Sequence, residues 1–359
     1  MSPPAADEIE VSIFGRGIGE SCVIHVGDGR WIIIDCMLSE NEEPVPVEYL
    51  SKIGVSLSDV EAVLLTHWHD DHIGGSACLV EQTPNACVAM PLVLNNDEFL
   101  GFLELAHPVE GESFKSGISE LRDVLRAVKS RGDAPRWCEA ERRISGGPAD
   151  IYEFEALSPS DKQISVFLSA IPDWVEKQAA GARLSGSYRN DTSVASVISL
   201  SGAMLLMGAD LENKSGGKGW PEVHEGSWKS RGQAEFFKLP HHGSATGHYG
   251  PVWNDMLIDD VFSALAPFNK GKKLPSSADL NRIANLTSNA YATSLPESRK
   301  KLKRPALVES IIHQKGVELL AEWTDLGQLR FRRPKAAVGQ AWEVELFGSA
   351  PFKIESAAA

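Results

Sequence analysis

Basic residues are in short supply in this chain. Its 35 lysines and arginines face 49 aspartates and glutamates, for a net charge of −14. A body this acidic is not built to coat nucleic acid non-specifically, although a local basic groove stays compatible with it. Cysteine is scarce too. The five residues Cys22, Cys36, Cys78, Cys87 and Cys138 are odd in number and never form a CxxC pair. That argues against a disulfide framework and for a reducing compartment. Most sit in apolar stretches such as "IIIDC" and "ACVAM" and are expected to be small core residues. No apolar run approaches the roughly 18–20 residues of a membrane span. The opening "MSPPAADEIEV" has neither a basic region nor an apolar core, so no signal peptide is expected there. These absences point to the cytoplasm and to no membrane partner.

What is present is an ordinary globular composition, 43% hydrophobic and 23% charged over 359 residues. Such a chain can bury a large core without staples. "IEVSIFG" and "CVIHVG" alternate as strands, and "DG" then turns into the apolar run "RWIIIDC". "VPVEYLSKIGV" reads as a helix, "SLSDVEAVLL" as a cap and a buried strand, and "IGGSACLVEQ" as a helix start. From about 96 to 150 the texture turns helical. In "GISELRDVLRAVKSRG", Ile118, Leu121, Leu125 and Val128 share one face. This segment reads as a helical insertion or covering element. Strands are expected again in "DIYEFEA", "TSVASVISLSGAMLLMGADLE", "AEFFKL", "DDVFSALAPFN" and "GQLRFRR". The order fits mixed sheets with helices outside, an α/β chain in one domain over 1–359 with a C-terminal extension after about 335.

Two short motifs hold five of the ten histidines. "THWHDDHIGG" carries His67, His69, Asp71 and His72, and "KLPHHGSATG" carries His241 and His242. Each follows a predicted strand. Histidine and carboxylate together are ligands for zinc, manganese and iron. One residue separates His67 from His69, so an extended turn projects both to the same side. Asp71 and His72 follow at a helix start, where a carboxylate is favoured. No convincing nucleophilic triad is visible.

"THWHDDHIGG" resembles the signature of the metallo-β-lactamase fold superfamily. "GIGESCVIHVGDGRWIIIDC", "AMLLMGADLE" and "FKLPHHGSATG" are similar to its other pieces. Within it, "RNDTSVASVISLSGAMLLMGADLE", "FKLPHHGS" and "TDLGQLRFR" resemble the hydrolase domain of the competence-type (ComEC-like) DNA-uptake channel, over roughly 9–335. The resemblance implies a four-layer αββα sandwich with two divalent metals, Zn2+ foremost and Mn2+ as the competitor. His67 and His69 would bind the first metal. Asp71, His72 and one of His241 and His242 would bind the second. Asp210 would bridge, and Asp35 would orient a ligand by hydrogen bond. Asp71, Asp210 and His242 would then be the catalytic set, acting through a metal-activated hydroxide.

The chain departs from the superfamily in one place. Many members supply a third histidine to the first metal, and the expected strand "VAMPLVL" has none. His107 is the one histidine in the interval, in "LELAHP". Three protein ligands and a water still make an open zinc site. Ser244 and His248 are candidates to contact substrate, whereas His25 alternates with core residues and reads as structural. "NKGKK", "RKKLKR" and "RFRRPK" are either solvated faces or the walls of a phosphate groove. The expected substrate is a phosphodiester, in nucleic acid or a nucleotide. The alternatives are a lactonase- or lactamase-like hydrolase of a small molecule, or a binding subunit that docks a protein partner through the helical insertion.

Overall fold

The computed structural model describes residues 1–96, 117–147, 151–179, 190–226, 228, 231–271, 273–294, 326–336, 341–348 and 351–355. His107, the run 299–304 and much of the segment before residue 117 lie outside these.

Two eight-stranded mixed sheets face each other. The first runs β17 (Glu343–Phe347), β16 (Gly327–Pro334), β1 (Glu8–Gly15), β2 (Glu20–His25), β3 (Trp31–Ile34), β4 (Val60–Leu64), β5 (Cys87–Pro91) and β6 (Arg136–Cys138). The second runs β18 (Phe352–Lys353), β15 (Ala290–Ala292), β14 (Leu257–Leu265), β13 (Ala234–Lys238), β10 (Ala203–Met207), β9 (Ser196–Leu200), β8 (Tyr152–Ala156) and β7 (Arg142–Gly146). A small hairpin joins β11 (Asn213–Lys214) to β12 (Lys218–Gly219). The helices are α1 (Val45–Lys52), α2 (Asp70–Ile73), α3 (Ser76–Gln82), α4 (Gly117–Ser130), α5 (Asp161–Ala179), α6 (Trp220–Glu225) and α7 (Ser277–Leu286).

Side-chain alternation explains the layering. Along β1, Ile9, Val11 and Ile13 enter the core between the sheets, where they share a cluster with Ile198, Leu205, Phe236 and Phe331. Phe14 and Trp31 instead join the outer core under α1, α3, α4 and α5, with Tyr49, Leu79, Val124 and Phe167. A third core lies outside the second sheet, where Val197, Leu206 and Phe237 meet Trp220 of α6 and Ile283 of α7. The run "RWIIIDC" is apolar on both faces because both faces of β3 are covered. This is the αββα sandwich that the resemblance implied. Among the described residues no helix is long and apolar enough to cross a membrane.

The "DG" turn is a tight hairpin. Asp28 (φ 53°) and Gly29 (φ 72°) both take left-handed backbone, and the Arg30 amide donates to the Gly27 carbonyl at 3.0 Å. The segment read as a helical insertion is mixed in its described part. Helix α4 packs Leu121 and Val128 on the outer core as the periodicity predicts, with Ile118 and Leu125 partly buried against it and Val124, which the pattern did not single out, fully buried. It is followed by β6 and β7, which put one edge strand on each sheet. Stretches this short, "RWC" and "RRISG", carry no readable period, and only pairing with β5 and β8 makes them strands. The C-terminal extension does the same: β17 adds to β16 and β18 to β15.

The basic run "RFRRPK" forms no groove. The Arg330 Nε donates to Glu345 at 2.8 Å, that of Arg332 to Glu10 at 2.7 Å and that of Arg333 to Glu235 at 2.6 Å. Arg333 is 2% exposed, so at least this residue of the run is fastened inside the sandwich. Its carboxylate, like that of Arg332, comes from a strand far away in the chain, which the linear pattern cannot show.

Candidate metal centre

Parallel neighbours β3 and β4 of one sheet, and β10 and β13 of the other, end at the same edge of the sandwich. Every candidate ligand hangs from one of those four strand ends. Asp35 follows β3, and residues 66–72 follow β4. Asp210 follows β10, and His241 and His242 follow β13. Three of these turns use left-handed backbone at residues other than glycine: Asp35 (φ 59°), Ala209 (φ 46°), and His241 and His242 (φ 47° and 53°). Such backbone costs about 1–2 kcal/mol per residue. Its concentration here marks a place where side-chain aim outweighs backbone comfort.

Asp35 organises the histidines. Its Oδ2 accepts the Nδ1–H of His72 at 2.7 Å and the hydroxyl of Thr66 at 2.8 Å. The Thr66 oxygen in turn lies 3.0 Å from His67 Nδ1. With its proton given to Asp35, the Thr66 hydroxyl accepts from His67. One buried carboxylate therefore sets the tautomer of two imidazoles. His242 donates its Nδ1–H to the Ala266 carbonyl at 2.9 Å and stacks on Phe268. With Nδ1 occupied in this way, all three rings turn Nε2 inward as the nitrogen that would face a metal.

Those inward nitrogens converge on two aspartates. His72 Nε2 lies 3.5 Å from Asp71 Oδ2 and 3.5 Å from Asp210 Oδ1. His242 Nε2 lies 3.2 Å from Asp71 Oδ2 and 3.5 Å from Asp210 Oδ2. His67 Nε2 lies 3.8 Å from Asp210 Oδ2 and 2.9 Å from His69 Nδ1. Asp210 is held by its own amide, which donates to Ser193 Oγ at 3.0 Å. Donor atoms of His67, His72 and Asp210 all lie within 4.8 Å of one another.

The electrostatics ask for cations. Burial works against charge on His72 and His242, yet the facing carboxylates, Asp210 foremost, hold His72 well above its ordinary range and His242 at about 10. Asp210 and Asp71 are held low in spite of burial, chiefly by His242 and His72 respectively. His67 goes the other way, pushed well down by burial and by His72 and His69. Among the described residues, His72 Nε2 and Asp210 Oδ1 are fully buried with no hydrogen-bond partner. A buried polar atom without a partner costs about 1–3 kcal/mol. These two, aimed at one point among soft nitrogen and hard oxygen donors, fit a divalent metal.

The pair His241 and His242 divides. His242 is buried in the cluster, whereas the His241 Nδ1 faces Glu212 at 3.0 Å and Thr246 at 2.8 Å. Burial would raise the Glu212 carboxyl, but His241 draws it down to about 2. Ser244, a candidate to contact substrate, is buried, with its Oγ 3.1 Å from His241 Nδ1 and 2.9 Å from Thr246. His248 lies on the far side of that loop, its ring 6.4 Å from Trp253. Asp70 accepts the Gly117 amide at 2.6 Å and so fastens the start of α4. His25 is buried in the hairpin, as its alternation suggested.

Several residues of the site escaped the sequence reading. Thr66 and Lys238 adjoin the histidine motifs and could have been suspected on position. Glu20 and Ser193 carry no local signal and become visible only once the sheets are stacked. A cavity of about 890 Å³ opens at the opposite end of the sandwich, and its lining, including Arg30, Glu61, Arg136 and Tyr152, contains none of these ligands.

Residues 15–97 match the family model described as the Metallo-beta-lactamase superfamily. The chain is similar to the solved metallo-beta-lactamase fold protein YhfI from Bacillus subtilis, at 13% identity and a TM-score of 0.35 over 64% of this chain and 70% of that one. It is also similar to MEM-A1, a subclass B3 metallo-beta-lactamase from a soil metagenome library, at 14% identity and a TM-score of 0.36 over 68% and 81%. A metallo-beta-lactamase from Cronobacter sakazakii aligns at 13% identity and a TM-score of 0.35 over 63% and 73%. No curated protein matches the chain.

Proposed function

We propose that this chain is a binuclear metallohydrolase acting on phosphodiesters of nucleic acid or nucleotides. The observation that carries the hydrolase reading is the cluster itself, with inward-facing Nε2 atoms from both sheets meeting Asp71 and Asp210, and with His72 Nε2 and Asp210 Oδ1 buried without a hydrogen-bond partner among the described residues. His67, His69 and Asp210 would hold one cation. Asp71, His72 and His242 would hold the other, with Asp210 shared. Bound there, divalent cations supply acidity to water and Lewis-acid polarisation of the scissile group. The chain's own contribution is orientation and charge. Asp35, Thr66 and the Ala266 carbonyl hold the rings, the aspartates balance the cations, and burial keeps bulk water away from the ligands.

The phosphodiester reading is supported by the resemblance of "FKLPHHGS" to the competence-type hydrolases. One observation favours a second reading, a lactone or lactam of a small molecule: Arg330, Arg332 and Arg333 are spent on internal ion pairs rather than on a backbone-binding groove.

Hydrolysis of bis(para-nitrophenyl) phosphate with added Zn2+ or Mn2+ tests this, with Asp210→Ala alongside. Metal-dependent turnover that disappears in the variant is the expected result. Turnover of a lactone or lactam with none of the phosphodiester would overturn the substrate class. Inactivity on all three would overturn the hydrolase reading.

A further inference from the structure

One buried ion pair stands directly behind the metal centre, where Glu20, His72 and His242 bring donor atoms within 4.8 Å of one another on the Nδ1 side of the rings. Glu20 begins β2 in the first sheet, and Lys238 ends β13 in the second. Their side chains are 3% and 2% exposed and are joined by a hydrogen bond from Nζ to Oε1. The Glu20 carboxylate straddles the rear edges of two imidazoles. Its Oε1 is 3.6 Å from His72 Nδ1, and its Oε2 is 3.5 Å from His242 Nδ1. Those nitrogens already donate to Asp35 and to the Ala266 carbonyl. Glu20 therefore acts through charge at close range, inside a region where water screens little.

A buried pair of this kind is a poor way to gain stability. Desolvation of both ions offsets much of their attraction, and an apolar replacement is often neutral or better. The Glu20 Oε2 also has no hydrogen-bond partner among the described residues. Its position matters more than its strength. It faces the Nδ1–H of His72 and of His242, one ring from each sheet, and its negative charge favours the tautomer that leaves both Nε2 atoms bare. Lys238 anchors the carboxylate there through the hydrogen bond from Nζ to Oε1.

We propose that Glu20, anchored by Lys238, is a positioning residue that locks His72 and His242 for the second cation. The inference rests on the metal-centre reading above. It differs from making Glu20 a ligand, because its oxygens face the Nδ1 edges and the aspartates occupy the Nε2 side.

The test uses the full chain and Zn2+ alone. Stoichiometry and affinity are measured by chelator competition for the parent, Glu20→Gln, and Glu20→Gln combined with Lys238→Met. The absorption spectrum of the Co2+-substituted proteins and the unfolding of the metal-free proteins accompany it. Glu20→Gln is expected to weaken one of the two sites about 10–100-fold, the usual cost of losing a partner of a ligand. The Co2+ spectrum should change with it. The double variant, freed of an unpaired buried lysine, should regain metal-free stability but not affinity. It also carries the test if Glu20→Gln alone does not fold. A double variant that binds Zn2+ and colours Co2+ like the parent would overturn the proposal, leaving the pair a structural staple. A parent that binds no Zn2+ would overturn the metal-centre reading and this inference with it.

Discussion

At the scale of single residues, two adjacent histidines have opposite fates. His242 sits in a left-handed turn, 3% exposed, with its Nε2 on Asp71 and Asp210. Its neighbour His241 is turned out to Glu212 and Thr246. Removing each should therefore do different things. His242→Ala is expected to lose one bound metal per chain, with an affinity loss of at least the roughly 10–100-fold that an outer partner's loss costs. His241→Ala should keep the full metal count. Metal content after dialysis against buffered Zn2+ checks both, and equal losses would show that the two histidines share the ligand role. The motif "HHGS" alone could not separate them, because the choice depends on a backbone turn and on Glu212 arriving from the end of β10.

At the scale of elements, the hairpin of β2 and β3 is closed by a histidine that must stay neutral. The Gly29 amide donates to His25 Nε2 at 3.1 Å, and His25 Nδ1 faces the Glu8 carbonyl at 2.9 Å. A proton on Nε2 would break the first bond. Burial, aided by Lys335, lowers this imidazole to about 4. Between about pH 6.5 and 4 the unfolded chain then binds the proton and the folded chain does not. The stability contributed by neutral His25 is complete above pH 6.5 and is lost as the pH falls toward 4. The loss should be on the order of 2–3 kcal/mol. Urea unfolding at pH 7 and pH 4.5 should show a smaller difference for His25→Gln than for the parent. An identical difference in both would sink this account. The alternation of "CVIHVG" already placed His25 among core residues. The tautomer needed the turn and β1 as well.

At the scale of the whole molecule, the centre is a joint between two sheets. Asp35, His67, His69, Asp71 and His72 come from the first sheet, and Asp210 and His242 come from the second. A cation that binds only when both are in place must stabilise their union. With free Zn2+ at 100 times its dissociation constant, the gain should be about 2.7 kcal/mol per site. Thermal unfolding with Zn2+ and with a chelator checks this, and coincident curves would argue that no metal joins the sheets. The same crossing answers Arg333 of β16, which reaches Glu235 of the second sheet, whereas Arg330 and Arg332 pair with Glu345 and Glu10, their register neighbours in the first sheet.

The local code determined a good deal by itself. Period-two alternation placed β1 and β2, the "DG" pair placed their turn with β3, and the spacing of His67, His69, Asp71 and His72 marked a ligand turn. Each depends on neighbours within a few residues, where backbone geometry is short-ranged. Tertiary structure decided the rest: which of His241 and His242 faces the centre, the edge strands β6 and β7, the burial of Arg333, and the setting of Glu20 and Lys238 behind the rings. Those two are 218 positions apart. No local pattern can pair them, because contact between such residues is created only when the sheets pack and water is excluded from between them.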